Sequence, residues 1–166
     1  KRSLELISLN DKRKRIENIT LNSIDFSMLE HQNRNVIIYY NPNINEGLIG
    51  IIASRFKDFF NKPSIVITTS NDVLKGSARS IDNYNIGGAI KKSLDQKIIL
   101  KGGGHNMAAG FILEKNKLSN FKDFIFQDFL RFGKKIDNSF LYESKISAHA
   151  LNKSFYDDLK KLEPFG

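Results

Sequence analysis

The chain has no cysteine, no tryptophan and only three prolines among 166 residues. Without cysteine there are no disulfides, no thiolate metal sites and no cysteine nucleophile. That fits a reducing compartment such as the cytosol. Few prolines and eleven glycines exclude collagen-like and low-complexity chains. No apolar run approaches the ~20 residues that a transmembrane helix requires, so no membrane partner is expected. Lys1-Arg2-Ser3 is not followed by an apolar signal core. The first residue is not methionine and the last three are Pro164-Phe165-Gly166, so both ends read as cuts in a longer protein.

What is present is an ordinary globular balance, 40% hydrophobic and 27% charged, which excludes a disordered tail. Thirteen phenylalanines and five tyrosines can fill a sizeable core. Twenty-six basic residues stand against eighteen acidic ones, giving a formal charge of +8. Such an excess is either a solvated basic surface or the footprint of an anionic partner such as nucleic acid. Asn, Ile and Lys are used heavily; an AT-rich genome would produce that bias, and part of the lysine excess with it.

Hydrophobic periodicity divides the chain. Residues 1–30 read as helix, with Asn10 as N-cap and Ile16, Ile19, Ser23 and Ile24 on one face. Lys12 to Arg15 place four cations on about one turn, as exposed surface or as a nucleic-acid contact. Val36 to Tyr40 is a continuous apolar run and reads as a buried strand. Residues 47–61 form a helix whose Ile49, Ile52, Phe56 and Phe59/Phe60 recur at three and four. Ser64 to Thr69 is a second strand, rich in β-branched residues. Strand, helix and strand with short loops predict parallel pairing. A turn at Asn71-Asp72, a strand over 75–80, a helix over 86–94 and a strand from Ala108 to Leu113 follow. Leu118, Phe121, Ile125, Phe129 and Phe132 mark an amphipathic helix closed by Gly133. After a polar linker, Leu141 to Ala148 alternates like a strand. Leu151, Phe155, Leu159 and Leu162 mark a last helix.

Two segments could carry chemistry. Gly102-Gly103-Gly104-His105 is either a flexible turn with a structural histidine or an anion-binding nest of backbone N–H groups. Without a following Lys and Ser/Thr it is not a P-loop. Gly76-Ser77-Ala78-Arg79-Ser80 offers a planar guanidinium between hydroxyls, either as exposed strand surface or as a phosphate fork. Strand alternation puts Ser77 and Arg79 on one face, and Ala78 and Ser80 on the other. His31, His105 and His149 follow no metal-ligand spacing, and the carboxylates are scattered. The residues alone describe a binding module for an anionic ligand, with no catalytic or metal-ligating residue of its own.

Three segments occur in order: GLIGIIASRFKDFFNKPSIVI at 47–67, KGSARSI at 75–81 and LKGGGHNMAAGFIL at 100–113. Together they resemble the DHHA1 domain in the C-terminal half of the RecJ family, bacterial single-strand-specific 5′→3′ exonucleases of the DHH phosphoesterase superfamily. LISLNDKRKRIE at 6–17 resembles the helix that connects the catalytic DHH domain to DHHA1. LYESKISAHALNKSFYDDLKKLEPFG at 141–166 resembles the opening of the following oligonucleotide-binding (OB-type) domain. The resemblance implies an α/β fold. A DHHA1-type mixed sheet flanked by helices would span 34–135, after a connecting helix over 1–33 and before a truncated OB-type domain over 136–166.

It also implies a bacterial cytoplasmic enzyme of DNA repair and recombination, with single-stranded DNA as substrate. Mn²⁺ or Mg²⁺ would sit in a DHH domain of the same chain, itself the second partner of this segment. Ser77, Arg79, Ser80, Gly102, Gly103, Gly104 and His105 would bind the substrate. This segment alone would hold no cofactor and hydrolyse nothing. Ile44-Asn45 stands where the family usually has a Trp-His-like pair. Two other DHHA1 settings exist, an oligoribonuclease or nucleotide phosphatase and a tRNA-binding module. Residues 141–166 argue against the first, and the connecting helix and the LEPFG end argue against the second.

Overall fold

The computed structural model describes residues 2–30, 35–133 and 145–163. The chain divides into two compact units, 1–135 and 136–166. The first opens with α1 (Arg2–Asn22) and α2 (Phe26–Glu30). It continues through β1 (Ile37–Tyr40), α3 (Ile49–Phe60), β2 (Ser64–Ser70), β3 (Val73–Arg79) and α4 (Ile86–Asp95). It closes with β4 (Lys101–His105), β5 (Ala108–Glu114) and α5 (Leu118–Phe132). The sheet order is β1-β2-β3-β5-β4. β1 and β2 are parallel, and the other three pairings are antiparallel. The sheet is therefore mixed and the fold α/β, as expected.

The continuous apolar run at β1 has a physical reason: each face of the sheet meets a different core. Ile38, Ile65, Ile67, Leu74, Ala78 and Phe111 point to α4 and α5, where Ile86, Ile90, Phe121 and Ile125 meet them. Ile37 and Val66 point the other way, to Ile49, Ile52 and Phe56 of α3, with Ile24 and Leu29 packed behind. Phe26 wedges α2 against α3 through edge-on contacts with Phe56 and Phe59, at 5.3 and 4.9 Å between ring centres. The α4/α5 core runs under the whole sheet. The α3 core covers only β1, β2 and part of β3. On that side β5 presents Ala108, Gly110 and Ile112, and β4 presents Gly103 and His105, too little apolar surface to hold another helix.

Several expectations are corrected. Asn10 does not cap a helix; α1 runs through it, and its Oδ1 accepts from Nε and Nη2 of Arg13. The inward face of α1 is Glu17 and Leu21, while Ile16 and Ile19 are 41% and 70% exposed. Phe59 and Phe132 are exposed at the ends of their helices. The strand expected over Leu141–Ala148 falls partly outside the described residues. Residues 145–147 are irregular, and Ala148–Ala150 make a 3₁₀ turn. In the second unit α6 (Lys153–Lys160) is capped by Asn152, whose Oδ1 accepts from the Phe155 amide.

A buried polar knot fastens α4 and α5. Asp128 is 6% exposed; it accepts from the Tyr84 hydroxyl at 3.0 Å and pairs with Lys92 at 2.8 Å. Burial first, and then the Asp128 charge, push the Tyr84 phenol up. Its ordinary value is 10.0, so the neutral phenol stabilises the fold fully below that pH and less above it. Tyr84→Phe should cost about 1–3 kcal/mol by leaving one Asp128 oxygen short of a donor. Melting temperature above pH 10.0 should fall more steeply for the parent than for Tyr84→Phe. Parallel pH curves would show that the phenol ionises freely in the folded state.

Candidate functional site

Neighbouring strands put paired residues in one row. Arg79 pairs with Ala108, and Ala108 pairs with His105. One row further along, Ser77 pairs with Gly110 and Gly110 with Gly103. These six positions share the sheet face that α3 leaves half covered, because side chains in register point to the same side. Arg79 and Ser77 stand at the border of α3, and Gly103 and His105 stand on the open edge strand.

Arg79 is held in place. Its Nη1 donates to the carbonyl of Ala78 at 2.9 Å and to Ser77 Oγ at 3.1 Å. The guanidinium lies against Gly50 in the first turn of α3: a Cβ there would sit 3.0 Å from Arg79 Nη2 and 3.2 Å from Ser77 Oγ. A side chain at 50 would crowd the arginine and the serine hydroxyl, and glycine leaves them room. An open cavity of about 350 Å³ is formed here by Gly47, Gly50, Ser54, Arg55, Asp58 and Arg79. The positive end of α3 faces the same way, with no side chain capping it. A guanidinium, a hydroxyl and a helix N-terminus at one cavity make an environment for a phosphate-like anion.

Ser80 is not part of it. It is 1% exposed, and its Oγ donates to the Tyr84 carbonyl at 2.6 Å. Its amide donates to the Met107 carbonyl at 2.8 Å, and the Ile86 amide donates to the Asn106 carbonyl at 3.2 Å. Ser80 thus grips the β4–β5 turn from below, and the start of α4 grips it from the side. That double hold positions His105, an exposed residue whose Nδ1 accepts from the Met107 amide at 3.4 Å. The acceptor at Nδ1 leaves Nε2 as the protonated nitrogen of the neutral ring.

Gly102 to Gly104 form a strand, not the flexible turn or nest of the sequence reading, and no glycine among the described residues has positive φ. Pairing with β5 overrides the low strand propensity of glycine. Each lacks a side chain for its own reason. A Cβ on Gly102 would strike Ile99 and Ile90 at 2.7 and 2.8 Å, and one on Gly104 would strike Ala108 and Ala109. At Gly87 in α4 it would meet the His105 carbonyl at 2.5 Å, so that glycine lets α4 close on β4. At Gly103 it would meet nothing within 4 Å, and at Gly110 only the Gly76 carbonyl at 3.9 Å. Gly103 and Gly110 are therefore bare backbone facing solvent, required neither by conformation nor by packing within the chain.

Sequence reasoning misses Gly110 and Gly50. Placing the 108–113 strand beside 101–105 and noting two glycines in one row would find Gly110. Gly50 gives no signal, because its partner Arg79 lies 29 positions away. Ile44 and Asn45 are structural: Ile44 is buried and its carbonyl accepts from Thr68 Oγ1, while Asn45 Oδ1 holds the Gly47 amide at 2.9 Å. Lys75 is engaged with Glu46 at 2.8 Å, and the hydrogen bond from Lys75, then that from Ser70, hold the Glu46 carboxyl below its usual range. Among the described residues no three His, Asp or Glu side chains group as metal ligands, and no helix is long and apolar enough to cross a membrane.

Comparison with known proteins shows the family and the fold. The family model of the DHHA1 domain matches residues 33–130. The chain is 35% identical over 126 residues to the single-stranded-DNA-specific exonuclease RecJ of Escherichia coli, covering 71% of this chain and 22% of that protein. To RecJ of Bacillus subtilis it is 31% identical over 121 residues, covering 71% and 15%. The crystal structure of RecJ from Thermus thermophilus in complex with Mg²⁺ superposes with a TM-score of 0.77 at 26% identity, over 98% of this chain and 25% of that one. Exonuclease RecJ bound to manganese gives 0.63 at 27% identity, over 77% and 31%. The chain thus spans at most 22% of the length of these two curated relatives.

The glycines separate by measurement. Gly104→Ala and Gly87→Ala should each cost about 1–3 kcal/mol through overpacking, read as a lower melting temperature. Gly103→Ala should leave it unchanged. A Gly103→Ala loss as large as that of Gly104→Ala would contradict the open shelf.

Proposed function

The chain belongs to the DHHA1 domain family, and from that premise we propose that it is the substrate-holding part of a single-stranded-DNA-specific 5′→3′ exonuclease of the RecJ kind. The observation that carries this reading is the row Arg79–Ala108–His105 beside the side-chain-free shelf of Gly110 and Gly103. Residues 34–135 form the holding domain, residues 1–33 join it to a catalytic DHH domain of the same chain, and 136–166 open an OB-type domain. The parent enzyme works in DNA repair and recombination in the bacterial cytoplasm.

Arg79 and Ser77 hold a substrate phosphate. The guanidinium gives a fork matched to two phosphate oxygens, and its existing bonds to Ala78 and Ser77 restrict its motion before the ligand arrives. His105 Nε2 donates from the far end of the row. Gly103 and Gly110 let the sugar-phosphate chain lie against backbone, where a side chain would lift it off. Gly102 and Gly104 keep the strand in place, and Ser80 acts through its grip on the turn. A divalent cation held in the DHH domain would supply the activation of the attacking water; the similar Thermus thermophilus RecJ structures are complexes with Mg²⁺ and Mn²⁺. This segment orients the phosphate and excludes bulk water from one side.

A bidentate contact in a partly enclosed cleft is worth about 1.5–3 kcal/mol. Arg79→Ala should thus weaken binding of 5′-phosphorylated single-stranded DNA by roughly 10- to 150-fold, equally for all base sequences. The slope of log affinity against log salt should shrink by about 0.7. Arg79→Lys should restore only part, since a point charge cannot replace the fork. Unchanged affinity and slope in Arg79→Ala would make Arg79 ordinary surface. Gly103→Val should abolish exonuclease activity of the full chain while its melting temperature holds; full activity would reduce β4 to a connector. The isolated segment should release no nucleotides with Mn²⁺ or Mg²⁺, and metal-dependent release would overturn the division of labour.

A further inference from the structure

The cavity at Arg79 does not end at α3. Arg55, one turn further along that helix, lines it too. A second cavity of about 270 Å³, formed by Lys12, Arg13 and Ile16 of α1 with Asn45, Gly47 and Leu48, meets the first at Gly47. Gly47 has no side chain to divide them. The result is one groove from Arg79, past Arg55, to Arg13 and Lys12.

Arg55 and Arg13 are organised by a buried carboxylate. The Glu17 side chain is only 5% exposed. Its Oε1 accepts from Arg55 Nε and Nη2 at 3.1 and 3.0 Å, and its Oε2 accepts from Arg13 Nη1 at 3.3 Å. Asn10 Oδ1 holds the other edge of Arg13. Two guanidiniums share one carboxylate, so the cluster keeps net positive charge. The side chains of Arg13 and Arg55 remain 41% and 60% exposed, and Arg55 Nη1 has no partner among the described residues. A tie between α1 and α3 needs only one of these arginines. Arg55 is held by its Nε and Nη2 and keeps Nη1 for a ligand, and Arg13 is fixed beside it at all three nitrogens, an arrangement that lowers the entropy lost on meeting an anion. The acidic residue of the groove, Asp58, is occupied by Lys57.

We infer that Arg55, with Arg13 beside it, is a second phosphate site for the same nucleic-acid strand, taking an internucleotide phosphate downstream of the one at Arg79, and that Glu17 is its positioning residue. This rests on the reading of Arg79 as a phosphate ligand for single-stranded DNA.

The test uses the full chain in EDTA with 5′-phosphorylated, 3′-labelled oligothymidylates. One oligonucleotide is fully charged, and the others each carry a single neutral methylphosphonate at a successive linkage. Arg55→Ala should weaken binding by about 3- to 10-fold, as for an exposed charge-assisted contact, and lower the salt slope by about 0.7. The loss should vanish on the one oligonucleotide whose neutral linkage falls at Arg55, whereas the Arg79→Ala loss should persist on that oligonucleotide. Glu17→Gln should reproduce part of the Arg55→Ala loss with the same linkage dependence, which a merely structural tie would not show. Arg55→Lys, which keeps a charge toward Glu17, should melt near the parent yet bind more weakly. A weakened Arg79→Ala beside an unchanged Arg55→Ala and Arg55→Lys overturns this inference alone. No effect from any of the three overturns the Arg79 reading as well. A loss in Arg55→Ala that persists on every methylphosphonate oligonucleotide also overturns the second site.

Discussion

β5 is hydrogen-bonded to β3 on one side and to β4 on the other, and the two registers meet at Ala108. Through that residue Arg79 and His105, 26 positions apart in sequence, come to the same end of the same face. A slip of one residue in either ladder would turn His105 or Arg79 into the α4/α5 core. Small residues guard the register: Ala109 and Gly104 touch across one pair, and the Phe111 ring lies over Gly76 in another. Larger side chains at these points would push the strands apart before they could pair.

The two faces of the sheet divide the labour. The α4/α5 side carries the broad apolar core and the Tyr84–Asp128–Lys92 knot, and it is closed. The α3 side is half finished. It buries β1 and β2 and leaves β5 and β4 bare, so a ligand approaching that side finds both a wall, formed by α3, and a floor of backbone. Ser80 joins the halves: its side chain belongs to the closed face, and its amide fixes the turn that carries His105.

The parallel β1–α3–β2 unit is legible in the sequence because a continuous apolar run, a three-four repeat and a β-branched run each have one straightforward reading. The parity of Ser77 and Arg79 against Ala78 and Ser80 is equally legible, since a strand allows only two sides. The face of α1 is not. Its innermost residue is a carboxylate, Glu17, whose burial depends on Arg55, 38 positions later, and hydrophobic periodicity cannot register a polar residue satisfied from so far away. The glycine segment reads as a turn because single-strand propensity sees three glycines and not the β5 ladder beside them. Gly50 is invisible for the same reason.

Nineteen of the 26 basic side chains are lysine, and only seven are arginine. Three of those seven, Arg13, Arg55 and Arg79, lie along one groove, and each is fixed through its guanidinium by a partner within the chain, with Nη1 of Arg55 and Nε and Nη2 of Arg79 outside those bonds. A lysine ammonium has three donors but no planar fork, so it cannot be held along one edge while another meets a ligand in a fixed plane. A codon bias that drifts toward lysine can therefore rewrite most of the cationic surface at little cost, but it meets a barrier at these three positions. At these three positions the shape of the guanidinium, and not its charge alone, decides what the side chain can hold.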